Sequence, residues 1–443
     1  MNTTRLKTLL IVVWGLFFIF LLIILFFFWM QNRSLALAQA ETIPQTLPAP
    51  GQIEAQPATP SPTATNRTIS TPTPLPSNTP AATLVSALPL ELPANFNPYT
   101  GQIPADASRL ERRPIAVKIT NFPRRVRGYQ FGLSRADVAY EYYIEDGLTR
   151  FIAVFYGQDA EKVGPVRSGR YFDEHIARMY QSYLVFANAD ERVETQLLES
   201  DILQRLVVPT THNCPPLCRD VSINDYNNFF VDTAGLTEYT RKIGHENVRQ
   251  ELRSSYFELL PPAWPLEVNE ITVRYSIYSY HAWRHDPIRR LYLRYADSVD
   301  ANTRQDEVYE PHIDMLTGEQ LSAANVVVLV VHHGFKSERE RAAQVFDIQL
   351  IGEGQAYIFR EGRAIPGVWQ RDALEQPIRL FDMGRNPLFL TPGQTYYIII
   401  NPESSLEQGE KSARFTFSIP SRYPTPTPTP PGFVPSPTPR KRP

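Results

Sequence analysis

Cysteine is almost missing from this chain. With two in 443 residues, at most one disulfide can form within it. A charge excess of either sign is also missing: 44 Lys and Arg face 46 Asp and Glu, net -2, which argues against a general polyanion binder and against nucleic acid as a partner. The sequence holds no Gly-x-Ser-x-Gly, no phosphate loop and no HExxH. His212 lies near Cys214 and Cys218, three candidate ligands where zinc takes four, or three plus water. The other histidines, His332-His333 among them, have no ligand spacing, so no metal and no cofactor are expected.

Proline is in excess, 40 residues, and well over half of it falls before residue 105 or after Ile419. Ahead of the first proline-rich stretch, residues 9–30 form an uncharged apolar run of about the 20 residues that cross a bilayer as a helix. Arg5 and Lys7 precede it, which places residues 1–8 in the cytoplasm and the rest outside. A cleaved signal peptide competes, since Ala38-Gln39-Ala40 has the small-x-small form that signal peptidase reads. The run exceeds the usual signal core and Ala40 lies far beyond it, which favours an uncleaved single-pass anchor. Residues 31–108, dominated by Pro, Thr, Ala and Ser, cannot bury enough apolar surface to offset chain entropy and read as a disordered linker. Extended, it reaches at most roughly 200 Å.

The chemistry-bearing stretch is 136–173. Two β-branched and aromatic runs flank Asp146-Gly147, the pattern of a hairpin with a two-residue turn. That register sets Tyr143 opposite Arg150 and puts Glu141, Tyr143, Glu145 and Arg150 on one ionic face, with Tyr142, Ile144, Phe151 and Phe155 on the core face. After Gly164-Pro165, the run Arg167-Ser168-Gly169-Arg170 precedes a helix expected over 171–183. Ser168 is its candidate N-cap, with Asp173 and Glu174 in the first turn. Unpaired N–H groups at a helix start beside two arginines make a candidate anion site, comprising Glu141, Glu145, Arg150, Arg167, Ser168, Arg170 and Asp173. The competing reading pairs the arginines with Glu141 and Glu145 inside the fold.

Gly132-Leu133-Ser134, Ala136-Asp137, Tyr140-Glu141, Gly147-Leu148-Thr149-Arg150 and Gly164-Pro165-Val166-Arg167-Ser168 together resemble the N-terminal domain of the YerB-like family of bacterial envelope lipoproteins. Gly352-Glu353-Gly354, Gly367-Val368-Trp369 and Pro392-Gly393-Gln394-Thr395 resemble its C-terminal domain. The resemblance, over about residues 111–403, implies a two-domain extracytoplasmic protein and carries no established activity. It departs at three places. No cysteine stands just after the apolar run, so a helix replaces a lipid as anchor; Asn188-Ala189 stands where the family tends to His-Gly, and Tyr226-Asn227-Asn228 where it tends to Pro-His-Asn. Those lost histidines weigh against a shared catalytic mechanism.

The expected fold class is α+β. An N-terminal α/β-type domain, 109–262, is followed beyond Pro261-Pro262 by a β-rich domain, 266–420, built as a sandwich or barrel, and then a disordered Pro-rich tail, 421–443. Arg124, Arg125 and Arg127 form a charged loop that adds positive charge to the anion site if it folds over the hairpin. Cys214 and Cys218 are expected to form a small disulfide outside the membrane. The functional expectation is a membrane-anchored envelope protein that binds a wall component, such as peptidoglycan or an anionic wall polymer, or an envelope protein. The alternative is a wall hydrolase using Glu141 and Glu145 as paired carboxylates, although their separation of about 13 Å along a strand exceeds the roughly 5–9.5 Å of glycosidases.

Overall fold

The computed structural model describes residues 93–251 and 255–420. The apolar run 9–30, residues 31–92 of the expected linker and the 421–443 tail lie outside the described residues. Among the described residues no helix is long and apolar enough to cross a membrane.

The first half supplies β1 (Ile115–Thr120), β2 (Val138–Tyr143), β3 (Thr149–Phe155), α1 (Tyr171–Met179), β4 (Tyr183–Val185), α2 (Glu191–Glu199), β5 (Leu206–Val207), β6 (Leu217–Arg219), β7 (Phe229–Val231) and α3 (Thr233–Lys242). The second half supplies β8 (Leu266–Glu267), β9 (Glu270–Arg274), β10 (Tyr280–Asp286), β11 (Leu291–Asp297), β12 (Tyr309–Pro311), β13 (Ser322–Ala323) and β14 (Asn325–Val330). After it come β15 (His333–Gly334), α4 (Glu338–Ala342), β16 (Asp347–Ile348), β17 (Gly352–Arg360), β18 (Arg363–Arg371), β19 (Arg379–Asp382), β20 (Thr395–Ile400), β21 (Ser405–Gln408) and β22 (Ser412–Thr416).

The main sheet has 11 strands in the order β19-β18-β17-β14-β20-β2-β3-β1-β4-β5, with β8 added to β18. Its central strands, IAVKIT in β1, NVVVLV in β14 and TYYIII in β20, are buried along their whole length, as strands covered on both faces must be. A seven-stranded sheet, β12-β11-β10-β9-β22-β21 with β13 on β11, covers one face. Trp283 lies 4.7 Å from Tyr396 and Phe415 lies 5.1 Å from Tyr357 across that layer. Helix α1 covers the other face, Phe172 packing 4.5 Å from Tyr142. The architecture is helix on sheet on sheet, with burial of each large apolar side chain contributing about 1.5–3 kcal/mol.

The α+β class and the strand-rich second half agree with expectation. The C-terminal half, however, is not a sandwich or barrel of its own. β2 runs parallel to β20, Val138 beside Thr395 and Tyr142 beside Ile399, so both halves share the main sheet. Without β20, the edge of β2 would be a row of open hydrogen-bonding groups. The packed part also starts before residue 109: Asn97 and Tyr99 are buried, and Asn97 Nδ2 donates to Asp137 Oδ1 at 2.9 Å. The helix expected over 171–183 stops at Met179.

Candidate functional site

The hairpin turn falls where the sequence places it, with Asp146 at φ 53 and Gly147 at φ 77. Leu148 then bonds two residues instead of one: its N–H donates to Glu145 O, and its carbonyl accepts from Ile144 N, both at 2.9 Å. This extra residue is a bulge that slips the register by one, so Tyr142 opposes Arg150 and Glu141 opposes Phe151. A slip of one residue exchanges faces. The single ionic face therefore becomes two polar clusters on opposite sides of the sheet.

Between the sheets, Glu141 is fully buried. Its Oε2 accepts from Arg294 Nη2 at 2.7 Å, and its Oε1 accepts from Thr149 Oγ1 at 2.9 Å and Asn121 Nδ2 at 3.2 Å. His281 Nδ1 stands 3.4 Å from Oε2, and Arg294 also meets His312, which bonds Gln130 at 2.6 Å. Burial pushes the Glu141 carboxyl up, but the opposed Arg294, with His281, outweighs it and holds the group well below the usual carboxylate range. Glu141 is thus a joint between the halves. Sealed there, it cannot share a substrate with Glu145, and the paired-carboxylate hydrolase loses its acid pair.

Beneath α1, Lys118 Nζ donates to Asp173 Oδ1 at 3.1 Å and contacts the Tyr142 hydroxyl; Lys118 and Asp173 are fully buried. Burial brings the Lys118 ammonium down to about 7, against the pull of Asp173. Tyr142 lies in the core as expected, whereas Lys118 was not among the expected site residues, although a lysine inside the apolar strand IAVKIT was the available signal. The N-cap of α1 is Arg170, not Ser168. Asp173 Oδ2 accepts from Arg170 N at 2.8 Å and so occupies the cap, while the Ser168 carbonyl accepts from Arg150 Nη1 at 2.9 Å.

Arg170 holds Glu145 through two contacts, Nε to Oε2 at 2.9 Å and Nη2 to Oε1, and Arg150 stands 3.8 Å from Oε1. Burial, and then the charge of Arg170, lower the Arg150 guanidinium to about 9. Arg167 differs from both. It lies half-buried with its guanidinium 4.6 Å over the Tyr226 ring, and among the described residues it has no ion pair and no side-chain hydrogen bond. Burial first, and then the charge of Arg170 against the help of Tyr226, lower its pKa. Gly164 (φ +148) lets the chain ahead of Arg167 pass close to β7, since a Cβ there would meet Phe229 O at 2.8 Å.

The charged 124–129 loop is a short 3-10 helix. Arg124 and Arg127 pair with Asp297 of the second half, and Arg125 with Asp225. Cys214 and Cys218 are bonded to each other. Among the described residues no group of His, Cys, Asp or Glu could hold a metal ion. At the mouth of α1, Arg150, Arg167 and Arg170 lie about Glu145, with Asp173 held in the cap and Asp225 also acting on Arg167. What the arrangement offers chemically is attraction for an anion at Arg167.

Residues 99–246 match the N-terminal domain, and residues 271–397 the C-terminal domain, of a protein family of unknown function (DUF3048). The "Putative lipoprotein YerB" of Bacillus subtilis is 24% identical over 288 residues, which span 62% of this chain and 77% of that protein. The crystal structure of the YerB protein from Bacillus subtilis aligns with a TM-score of 0.56 at 24% identity, covering 69% of this chain and 96% of that one, and so shares the fold. The chain belongs to the YerB-like family.

Proposed function

We propose that this protein is an extracytoplasmic envelope protein, held at the membrane by a helix over 9–30, that binds an anionic wall polymer at the mouth of α1. The observation that carries this reading is Arg167, half-buried on Tyr226 without a counter-ion among the described residues. A guanidinium left unpaired in partly desolvated surroundings gains more from an arriving anion than one already bound to a carboxylate. The anchor supports the same reading. The relative is named a lipoprotein, whereas this chain has its only cysteines at 214 and 218 and an apolar run at 9–30, so a helix would take the place of a lipid. The test is co-sedimentation of the full chain, in detergent, with isolated cell walls and with walls stripped of anionic polymer. Binding to the first, and its loss with the second or with Arg167→Ala, is the expected result. Equal binding to both wall preparations, or none to either, would count against it.

A further inference from the structure

The loop between β6 and β7 borders an open depression of about 520 Å³ whose lining includes Arg125, Asn224, Asp225, Tyr226 and Asn228, and Arg167 adjoins it through the Tyr226 ring rather than lining it. Tyr226 is 62% exposed although Arg167 backs its ring, so the remainder of the ring is presented to solvent. The loop that holds it is tied down. Asp225 accepts from Arg125 Nε at 2.9 Å, Tyr129 OH at 2.8 Å, and both Asn227 N and Nδ2 at 2.9 Å; Asp220 takes Lys162 at 2.6 Å; and the Cys214–Cys218 bond closes the preceding turn. A large aromatic held outward on a fixed loop is pre-organised for contact, and ordering it on binding costs little.

Three hydrogen-bonding groups beside that ring are unused within the described residues: the Asn224 amide, the Arg167 guanidinium and Arg125 Nη1, since Arg125 engages Asp225 through Nε and Nη2. The site is thus an aromatic face flanked by an amide and two cations, with Val221 and Ile223 at its apolar side and the Asp225 carboxylate in its lining already taken up by Arg125, Tyr129 and Asn227. We propose that it binds an acidic saccharide, one sugar ring lying on the open face of Tyr226 with a hydroxyl at Asn224, and the carboxylate or phosphate of the adjoining unit reaching Arg167 past the ring edge. The inference rests on the reading of Arg167 as an anion-binding group and adds the class of ligand. A ring with C–H groups on one face and hydroxyls at its rim matches an aromatic body flanked by amide donors, and its acid matches the guanidinium.

The test is calorimetric titration of the full chain in detergent with four probes: a hexuronic-acid oligosaccharide, a neutral N-acetylglucosamine oligosaccharide of equal length, inorganic phosphate and a nucleoside monophosphate. The acidic sugar should bind at least about tenfold more tightly than the other three, a gap fitting one charged contact combined with one stacked ring. Tyr226→Ala should weaken it by about tenfold while Tyr226→Phe stays within about twofold, because the ring rather than the hydroxyl makes the contact. Loss with Arg167→Ala but none with Tyr226→Ala would overturn the saccharide assignment and leave the anion site standing. Phosphate, the nucleotide or the neutral sugar binding as tightly as the acidic one would overturn it equally. No binding of any probe would overturn both readings.

Discussion

Glu141 of the first half accepts a 2.7 Å hydrogen bond from Arg294 of the second, and both side chains are sealed from solvent between two sheets. Removing one member strands the other as a buried, unpaired charge. Arg294→Ala should therefore cost about 3–5 kcal/mol, read as a fall in the denaturation midpoint with unchanged m-value. Glu141→Gln, which keeps a hydrogen-bond acceptor, should cost less. A cost below about 1 kcal/mol for Arg294→Ala would mean that the joint is not as closed as described.

Because β2 pairs with β20, the two family domains should unfold as one unit. Calorimetry of the full chain is expected to show a single transition for the folded part. Residues 99–246 expressed alone should elute as aggregate or unfolded chain, because the β2 edge is open. A monodisperse, folded N-terminal fragment would contradict the shared sheet.

Stability should rise with pH across the neutral range. Burial lowers the pKa of His281, His312 and His333, the last to about 4, and each is 1% exposed. The unfolded chain binds these protons from about 6.5 downward while the folded chain does not. Their contribution is therefore full above about pH 6.5 and is lost on acidification toward the folded values, at up to about 1.4 kcal/mol per histidine and pH unit. Lys118, lowered to about 7, continues the same slope upward, because the unfolded lysine stays protonated to about pH 10. Urea midpoints at pH 5, 6, 7.5 and 9 check this, and a flat profile would contradict it. Glu141 adds an acid limb: its depressed pKa contributes above about pH 4.3 and is lost only as pH falls further.

Opening the Cys214–Cys218 bond should cost about 2 kcal/mol, the loop-closure value for so short a ring. The sharper readout is local. Hydrogen exchange should quicken over 217–231, where β6 and β7 pair, and stay unchanged in the main sheet. Uniform loss of protection would show that the loop is not an independent unit.

The turn at Asp146-Gly147 and the helix opening near residue 171 were legible because both depend on local chemistry. The bulge was not. It forms where Tyr143 OH accepts from Gly147 N at 2.9 Å and Gln344, of the other half, takes Asp146 N at 3.0 Å, contacts that no hairpin pattern encodes. One slipped residue moved Glu141 away from Arg150 and divided the candidate site. The partnership of β2 with β20 was equally hidden, since alternation and β-branching identify a strand but not which distant strand lies beside it. Arg167 and Arg170 were found by position, yet only geometry separates the paired arginine from the unpaired one.

Arg167 is proposed to act as a recognition group rather than a structural one. The most direct measurement is the affinity of the full chain for a purified anionic wall polymer, compared among the natural sequence, Arg167→Ala and the surface control Arg304→Ala. The expected result is at least about a tenfold loss for Arg167→Ala alone, an unchanged melting temperature for all three, and weaker binding as salt rises. Equal affinity for the natural sequence and Arg167→Ala, or a melting temperature that falls with that substitution, would contradict it.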